Sequence, residues 1–317
     1  MKTFAFVSLL AVSFAAAAQD YPSRPVKIIV PFGAGGTADI FGRQLGQHLS
    51  EAWKQPFIIE NRTGAGGNVG TDAAAKSAAD GYTLLMVGST HATNESLYKN
   101  KPFVLMRDFA AVAPLNYFDM VLVVPSSFPA DSVRDLIALA RQKPGSLNYA
   151  SSGVGTNYHM AAELFKSMAK VDIVHVPYKQ AGAARTDVLG GQVQMMFDGI
   201  GTMLGNIESK KVKPLATMGS RRAGSLPGVP TMAEAGLPGY EVLAWNGVMA
   251  PKGTPAAVID KLNAEIVRFQ ALPGIRENWA KQGVAPIVMG VAEFDRFVRT
   301  EIDKWAEVVR VSGARAD

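Results

Sequence analysis

Residues 26–39 read VKIIVPFGAGGTAD, in which a strand pattern passes through a glycine-rich loop into a helix pattern. The apolar run at 26–30 is typical of a buried strand, and 39–53 carries its large apolar side chains on one helical face. Glycine lets a ligand approach the backbone closely, and a helix N-terminus offers unpaired N–H groups to an anion. The stretch therefore predicts an α/β unit with a binding loop at the carboxyl end of its strand.

The same alternation of strand and helix patterns continues along the chain. Further strands are predicted at 57–60, 83–87, 120–124, 148–150, 173–176, 195–197, 214–218 and 240–250. Helices are predicted at 71–78, 132–142, 158–169, 181–189, 202–209, 255–271, 275–282 and 292–311. Alternation of this kind favours parallel sheets covered by helices on both faces.

The predicted strands fall into two sets of similar size, and the second set begins after Pro114. We therefore expect an α/β fold with two lobes, each a mainly parallel sheet flanked by helices. Lobe 1 is predicted to comprise residues 19-122 plus 247-317, and lobe 2 residues 123-246. The chain is expected to cross between the lobes near 120-124 and 243-248, and two crossings make a hinge. The cleft between the lobes is the expected ligand site.

Two more glycine-rich loops precede helices, GAGGNVG at 64–70 and SSGVGTN at 151–157. A single loop of this kind is more often a tight turn that holds no ligand, but three of them at strand ends favour a binding site. Lys and Arg are absent from all three loops. An anion there would be held by neutral donors, each contributing only about 0.5–1.5 kcal/mol, which suits reversible capture.

The first 18 residues, MKTFAFVSLLAVSFAAAA, combine an early Lys2, an apolar run and small residues before Gln19. This pattern predicts a secretory signal peptide over residues 1-18, and the alternative is a buried N-terminal helix. The chain has no cysteine, so neither a lipid anchor, a disulfide nor a thiol nucleophile is expected. In a Gram-negative host, the mature protein is expected in the periplasm.

Composition and motifs weigh against several other functions. The net charge of +5 is spread evenly, so nucleic-acid binding is not expected. Neither a G-x-S-x-G elbow nor a P-loop occurs, and the four histidines never fall at i, i+4 spacing. One enzyme remains as an alternative, because GAGGTA at 33–38 fits a dinucleotide fingerprint and Glu60 ends the next strand. That alternative is an NAD-dependent oxidoreductase, and export from the cytoplasm argues against it.

Several segments together resemble the tripartite tricarboxylate transporter (TTT) substrate-binding proteins, the periplasmic Bug family. These segments are YPSRP 21–25, PFGAGGTAD 31–39, ENRTGAGGNVG 60–70, DGYTL 80–84, YASSGVGT 149–156, HVPYK 175–179, PGVPT 227–231 and APKGTP 250–255. The resemblance implies a two-lobed periplasmic-binding-protein fold of the Venus flytrap, type II-like kind, with no enzymatic activity, cofactor or metal. It also implies capture of a small carboxylate, a dicarboxylate or an aromatic carboxylate, and its delivery to TTT membrane permease subunits. We expect a monomer.

The resemblance also assigns site residues on this sequence. The carboxylate clamp would comprise Phe32, Gly33, Ala34, Gly35, Gly36, Thr37, Ser151, Ser152, Gly155, Thr156 and Asn157. The wall of lobe 1 would comprise Ser89, Thr90 and His91, and the variable end Tyr178, Asp198, Trp245 and Asn246. Asp198 either accepts hydrogen bonds from a ligand hydroxyl or amine, or holds Lys179 or a loop N–H. Trp245 either stacks on an aromatic ligand or packs the hinge, and Asp39 either caps the first helix or touches the ligand.

Overall fold

The computed structural model describes residues 21–314 and 316, so the predicted signal peptide lies outside the described residues. The described strands form two sheets, of six and five strands. Most strands and helices lie where the sequence patterns predict them, and their ends differ by a few residues. None of the helices between residues 21 and 314 is sufficiently long and apolar to span a membrane.

The first sheet has the strand order β11-β4-β10-β3-β1-β2. Its strands are β1 (Val26–Val30), β2 (Phe57–Asn61), β3 (Thr83–Gly88), β4 (Phe109–Phe118), β10 (Ala244–Pro251) and β11 (Val284–Pro286). Around it lie the helices α1 (Thr37–Trp53), α2 (Asn68–Ala75), α3 (Ser89–Leu97), α4 (Leu105–Asp108), α9 (Ala256–Ala271), α10 (Pro273–Lys281) and α11 (Val291–Ser312). We call this sheet and its helices lobe 1.

The second sheet has the strand order β7-β6-β8-β5-β9. Its strands are β5 (Met120–Pro125), β6 (Asn148–Ser151), β7 (Val174–Pro177), β8 (Met195–Gly199) and β9 (Val212–Thr217). Its helices are α5 (Val133–Gln142), α6 (Asn157–Ala169), α7 (Ala181–Leu189) and α8 (Ile200–Glu208). We call this sheet and its helices lobe 2.

The predicted two-lobed α/β class is confirmed, but the sheets are mixed and not mainly parallel. Strands β1, β2 and β3 are parallel, as are β6, β7 and β8. In lobe 1, β10 runs antiparallel to both β3 and β4, and in lobe 2, β5 runs antiparallel to β8 and β9. The antiparallel pairs arise because β5 and β10 are the strands by which the chain enters lobe 2 and returns from it.

Four elements of lobe 1 were not predicted from the sequence, namely β4, β11, α3 and α4. Strand β4 contains Pro114, which was interpreted as a break between two sets of strands. Pro114 lies at a register shift opposite Gly247, where a residue without an N–H interrupts no ladder hydrogen bond. No helix was predicted over α3, whose polar side chains are buried mainly by α11 and α2 of the same lobe, with His91 beside Thr71 and Asn94 donating to Asn68.

The chain passes from the first sheet to the second at Asp119 and returns before Ala244. Both points adjoin the predicted hinge positions near 120-124 and 243-248. The lobe boundaries and the hinge at these crossings stay predictions.

The C-terminal helix α11 is anchored to lobe 1 through one buried carboxylate. Glu301 Oε2 accepts hydrogen bonds from the indole N–H of Trp245, at 2.8 Å, and of Trp305, at 3.2 Å. Both tryptophans are fully or almost fully buried, and the Trp245 ring also packs edge-on against Phe294 and Phe297. Glu301 therefore satisfies two indole donors that would otherwise be buried without an acceptor.

We predict that Glu301→Ala lowers the free energy of unfolding by about 2–4 kcal/mol, because two buried N–H groups lose their acceptor. The matched control is Asp303→Ala on the exposed face of the same helix, which should change it by less than about 0.5 kcal/mol. Urea unfolding followed by tryptophan fluorescence measures both. Equal effects in the two variants would show that the Glu301 contacts do not anchor α11.

Candidate functional site

A cavity of about 40 Å³ lies between the two lobes. It is lined by Phe32, Gly33, Gly36, Thr37, Ala38, Gly88, Thr90, Ser152, Thr156, Asn157, Tyr158, Ala181, Trp245 and Asn246. A water molecule needs about 10–15 Å³ of such space, so the cavity has room for a small polar group together with water. All of the described residues that line it are uncharged at neutral pH.

The first loop, residues 31–36, is held in shape by Asp39 at the start of α1. Asp39 Oδ2 accepts a hydrogen bond from Gly35 N–H at 3.0 Å, and its Oδ1 accepts one from Asn61 Nδ2 at 2.9 Å. Burial acts to raise the pKa of Asp39, but hydrogen bonds from Arg43, Gly35 and Asn61 outweigh it and hold that pKa below its usual value. Asp39 therefore shapes the loop from behind and does not line the cavity.

The third loop, residues 151–157, is held by its own side chains and by two histidines beneath it. Thr156 Oγ1 donates to Gly153 O at 2.8 Å, and Ser151 Oγ lies 2.6 Å from His175 Nε2. His159 Nδ1 accepts a hydrogen bond from Gly155 N–H at 3.1 Å. The rings of His159 and His175 stack with centroids 4.3 Å apart.

Both histidines beneath the third loop are neutral. Burial lowers the pKa of His159 to about 4 and that of His175 to about 3. The Nδ1 atom of His159 accepts the hydrogen bond from Gly155, which places the ring proton on Nε2. The two rings thus act as polar supports for the loop and add no positive charge to the cleft.

Helix α3 brings lobe 1 into contact with the start of α6 in lobe 2. Asn157 Oδ1 accepts hydrogen bonds from Ser89 Oγ, at 2.9 Å, and from Thr90 Oγ1, at 3.1 Å. Beside this contact, Tyr98 donates from its hydroxyl to Val154 O at 3.2 Å. These hydrogen bonds join the lobes directly, so the structure shows the cleft closed.

Glycines lie at the points where the two backbones come nearest to each other. A Cβ atom on Gly33 would lie 3.0 Å from Lys179 O, and one on Gly66 would lie 2.4 Å from Val154 O. On lobe 2, a Cβ on Gly155 would lie 2.7 Å from Asn94 Oδ1, and one on Gly199 would lie 2.8 Å from Thr37 Cγ2. The glycine loops therefore let the lobes close on each other, in addition to bringing backbone close to the cavity.

Most of the residues predicted for the clamp meet at the cavity. Those that line it are Phe32, Gly33, Gly36, Thr37, Thr90, Ser152, Thr156, Asn157, Trp245 and Asn246. The predicted residues that do not line it are Ala34, Gly35, Ser89, His91, Ser151, Gly155, Tyr178 and Asp198. Several of these eight residues hold the loops in shape from behind, and the ligand-binding role of all the predicted residues stays a prediction.

His91 was predicted to form part of the wall, but it lies behind the wall and is 2% exposed. Its Nδ1 accepts a hydrogen bond from Gly88 N–H, and its Nε2 lies 3.1 Å from Thr71 Oγ1. Burial lowers its pKa to about 4. His91 therefore closes the first turn of α3, and the sequence pattern did not separate that role from a ligand contact.

Asp198 and Trp245 have definite partners in the structure. Asp198 is fully buried and accepts hydrogen bonds from the N–H of Gly199, the last residue of β8, and from Arg185, whereas none of the hydrogen bonds described for it comes from Lys179. The ring of Trp245 packs in lobe 1 and donates to Glu301, so it is not free to stack on a ligand.

Tyr178 lies outside the cavity, in a groove at the mouth of the cleft. Its hydroxyl donates to Asp187 Oδ2 at 2.6 Å. The groove has a volume of about 660 Å³ and includes the second glycine loop, with Phe32, Gly33 and Ser152 shared between it and the cavity. The groove therefore adjoins the cavity on its solvent side.

Four lining residues were not predicted: Ala38, Gly88, Tyr158 and Ala181. Of these four, Tyr158 is the residue whose side chain carries a polar group. Its hydroxyl is buried beside Thr37, Asp198 and Arg185, and burial raises the pKa of Tyr158 above its usual value. Its position directly after the third loop is the signal in the sequence that could have identified it.

Among the described residues, no group of three or more His, Asp and Glu side chains is placed to hold a metal ion. The carboxylates nearest the cleft, Asp39 and Asp198, already have arginine partners. The polar groups at the cavity are hydroxyl, amide and backbone groups, which suit hydrogen bonding to a small anion.

Comparison with known proteins identifies the family. The model of the tripartite tricarboxylate transporter family receptor matches residues 41–313. The protein BugT of Bordetella pertussis is 37% identical over 312 residues, which cover 98% of this chain and 96% of that protein.

Three solved structures have the same fold over nearly the whole chain. The structure of Rpa4515 from R. palustris with adipate has a TM-score of 0.90 and 36% identity, and the match covers 93% of this chain and 99% of that one. The periplasmic binding protein BugD has a TM-score of 0.88 and 31% identity, with 93% and 99% covered. MatC from Rhodopseudomonas palustris with bound malate has a TM-score of 0.86 and 31% identity, with 91% and 100% covered.

We predict that the protein loses stability in acid, because His159 and His175 are buried as neutral groups. Because burial lowers the pKa values of His159 and His175 below 6.5, the unfolded chain binds protons first as the pH falls. The contribution of the two histidines to the free energy of unfolding is complete above pH 6.5. It is lost as the pH falls toward the folded-state pKa values of about 4 for His159 and about 3 for His175. Each group loses up to about 1.4 kcal/mol per pH unit over that range.

The test is the double variant His159→Asn and His175→Gln, which keeps polar atoms near the original Nδ1 and Nε2 positions. We expect its free energy of unfolding to fall less steeply between pH 6.5 and pH 4 than that of the unaltered chain. Denaturant titrations across this range measure the slope. An identical slope would mean that the two rings are not buried as neutral groups.

Proposed function

The chain belongs to the tripartite tricarboxylate transporter receptor family, and we propose that it captures a small carboxylate between its two lobes and delivers it to a membrane permease. The family is one of substrate-binding receptors and not of enzymes. The observation that carries the proposal is the closed cavity between the lobes, whose lining combines uncharged hydrogen-bonding groups with apolar walls.

The lining residues suit a carboxylate that must later be released. The Thr37 and Ser152 hydroxyls and the Asn157 amide N–H groups bring donors from both lobes to the cavity, whereas Thr90 and Thr156 already donate to Asn157 Oδ1 and to Gly153 O. Each neutral hydrogen bond contributes roughly 0.5–1.5 kcal/mol, so several of them bind firmly only while the cleft is closed and excludes water. When the cleft opens, the ligand loses its hydrogen bonds to one of the two lobes at once.

An aliphatic dicarboxylate fits the cleft better than an aromatic carboxylate does. Trp245, the residue considered for stacking, has its ring committed to Phe297 and Glu301. The solved relatives with adipate and with malate carry ligands of the dicarboxylate class. We therefore place one carboxylate in the cavity and let the rest of the ligand extend toward the groove at the mouth of the cleft.

The remaining expectations form part of the same proposal. Residues 1-18 would direct export to the periplasm without a lipid anchor, and the mature chain would act as a monomer. Lobe 1, residues 19-122 with 247-317, and lobe 2, residues 123-246, would rotate about the two crossings. The receptor function needs no cofactor.

The oxidoreductase alternative finds no support at the first loop. A Cβ on Gly33 would meet the Lys179 carbonyl, so lobe 2 covers this loop and leaves no open crevice for a dinucleotide. Glu60, the residue considered for ribose binding, is paired with Lys27 at 2.7 Å and with Arg62.

We predict that aliphatic dicarboxylates raise the melting temperature of the protein and that NAD does not. A ligand present at about 100 times its dissociation constant stabilises the folded state by roughly 2.7 kcal/mol. A thermal-shift panel of malate, adipate, the matched monocarboxylate hexanoate, benzoate and NAD measures this. A shift with NAD and with none of the carboxylates would contradict the receptor function.

We also predict that Ser152→Ala weakens dicarboxylate binding by a few-fold to about tenfold, since one neutral hydrogen bond at the cavity is lost. The matched control is Ser146→Ala, because Ser146 is exposed in lobe 2 and donates to Lys143 O away from the cavity. Isothermal titration with the dicarboxylate that gives the largest thermal shift measures both. Equal affinities in the two variants would show that the third loop is not part of the binding site.

A further inference from the structure

Arg185 on α7 is shared between the two lobes. Its side chain is 14% exposed, and its Nε donates to Asp198 Oδ2 of lobe 2 at 2.5 Å. Its Nη1 and Nη2 atoms both donate to Gly35 O of lobe 1, each at 3.0 Å. One guanidinium therefore makes hydrogen bonds on both sides of the cleft.

The lobe 2 end of this arrangement is fixed by Asp198. Its carboxylate is fully buried and also accepts hydrogen bonds from Gly199 N–H, at 2.7 Å, and from Thr202 Oγ1, at 3.0 Å. With Nε held by such a rigid acceptor, the planar guanidinium has its two terminal nitrogens directed at lobe 1. The orientation of Arg185 therefore does not depend on lobe 1.

The lobe 1 end is equally fixed. Gly35 has a φ of +75°, a conformation that glycine adopts without strain, and its N–H donates to Asp39. Asp39 is held in turn by Arg43 and Asn61. The Gly35 carbonyl oxygen therefore points toward lobe 2 with the same orientation whether or not Arg185 is near it.

The other side-chain hydrogen bonds described across the cleft have neutral donors, such as those from Ser89 and Thr90 to Asn157. Hydrogen bonds from a charged donor are stronger, and those of a forked guanidinium are also directional. Asp198 balances the charge of Arg185, so this contact brings no net charge to an anion-binding cleft. That balance accounts for a buried acid in a receptor for anions.

We propose that Arg185 is a closure latch, a positioning residue that holds the Gly35 carbonyl and so stabilises the closed cleft independently of ligand. The latch rests on the closure of the two lobes and not on the identity of the carboxylate. A ligand-free receptor then populates the closed form to a measurable extent. Because closure traps the ligand, the latch also raises the apparent affinity for any ligand that the closed form binds more tightly.

The test uses the ligand-free protein, so it does not depend on the proposed ligand. The chain has no cysteine, which allows nitroxide labels at Thr63→Cys on lobe 1 and Thr186→Cys on lobe 2, two exposed positions. Double electron–electron resonance then gives the distribution of distances between the lobes. Closed and open forms appear as a shorter and a longer distance.

The principal variant pairs Arg185→Met with Asp198→Asn, since removing the arginine alone would leave a buried unpaired carboxylate. We expect its closed-to-open ratio to fall roughly tenfold. Arg185→Lys keeps the pairing with Asp198 but lacks the fork, and it should also shift toward the open form. Arg141→Met is the control, because Arg141 donates to Ala169 O within lobe 2.

Urea unfolding of each variant confirms that it is folded before the distances are compared. A shift toward the longer distance in the paired variant and in Arg185→Lys, but not in Arg141→Met, would support the latch. An unchanged distribution in the two Arg185 variants would overturn it. A wild-type chain with no closed fraction in the absence of ligand would overturn it as well.

Discussion

The site depends on the close approach of two backbones, one from each lobe. Gly33 and Gly66 of lobe 1 meet backbone atoms of lobe 2, and Gly155 and Gly199 of lobe 2 meet side chains of lobe 1. A Cβ atom at any of these points would lie 3.0 Å or less from an atom of the other lobe, so either the lobes or the contacting side chains would have to shift. Because the cavity is bounded by the same loops, its enclosure depends on those glycines as much as on the groups that line it.

Charge is arranged so that the cavity itself carries none. The two acids nearest the cleft are paired with arginines, Asp39 with Arg43 and Asp198 with Arg185, and the histidines beneath the third loop are neutral. A carboxylate would therefore meet dipoles and hydroxyl groups of uncharged residues. Such groups bind strongly when all are present together and weakly when the cleft opens.

Local patterns in the sequence predict most of the fold and the centre of the site. The strand, glycine loop and helix at residues 26–53 lie where the hydrophobic periodicity places them, because burial of one helical face dominates there. Strand β4 was missed because Pro114 is tolerated at a bulge. Helix α3 was missed because its buried polar side chains have partners distant in sequence, such as Thr71 for His91 and Asn157 for Ser89, which no local pattern reveals.

The residues that sequence reasoning missed or misplaced are those whose partners lie far along the chain. Arg185 donates to Gly35, which is 150 positions away, and nothing near either residue signals the pair. His91 has the residue type of a ligand contact, yet its neighbours Gly88 and Thr71 use both of its ring nitrogens. Trp245 has the ring expected of a stacking platform, but Glu301, 56 positions later, takes its N–H.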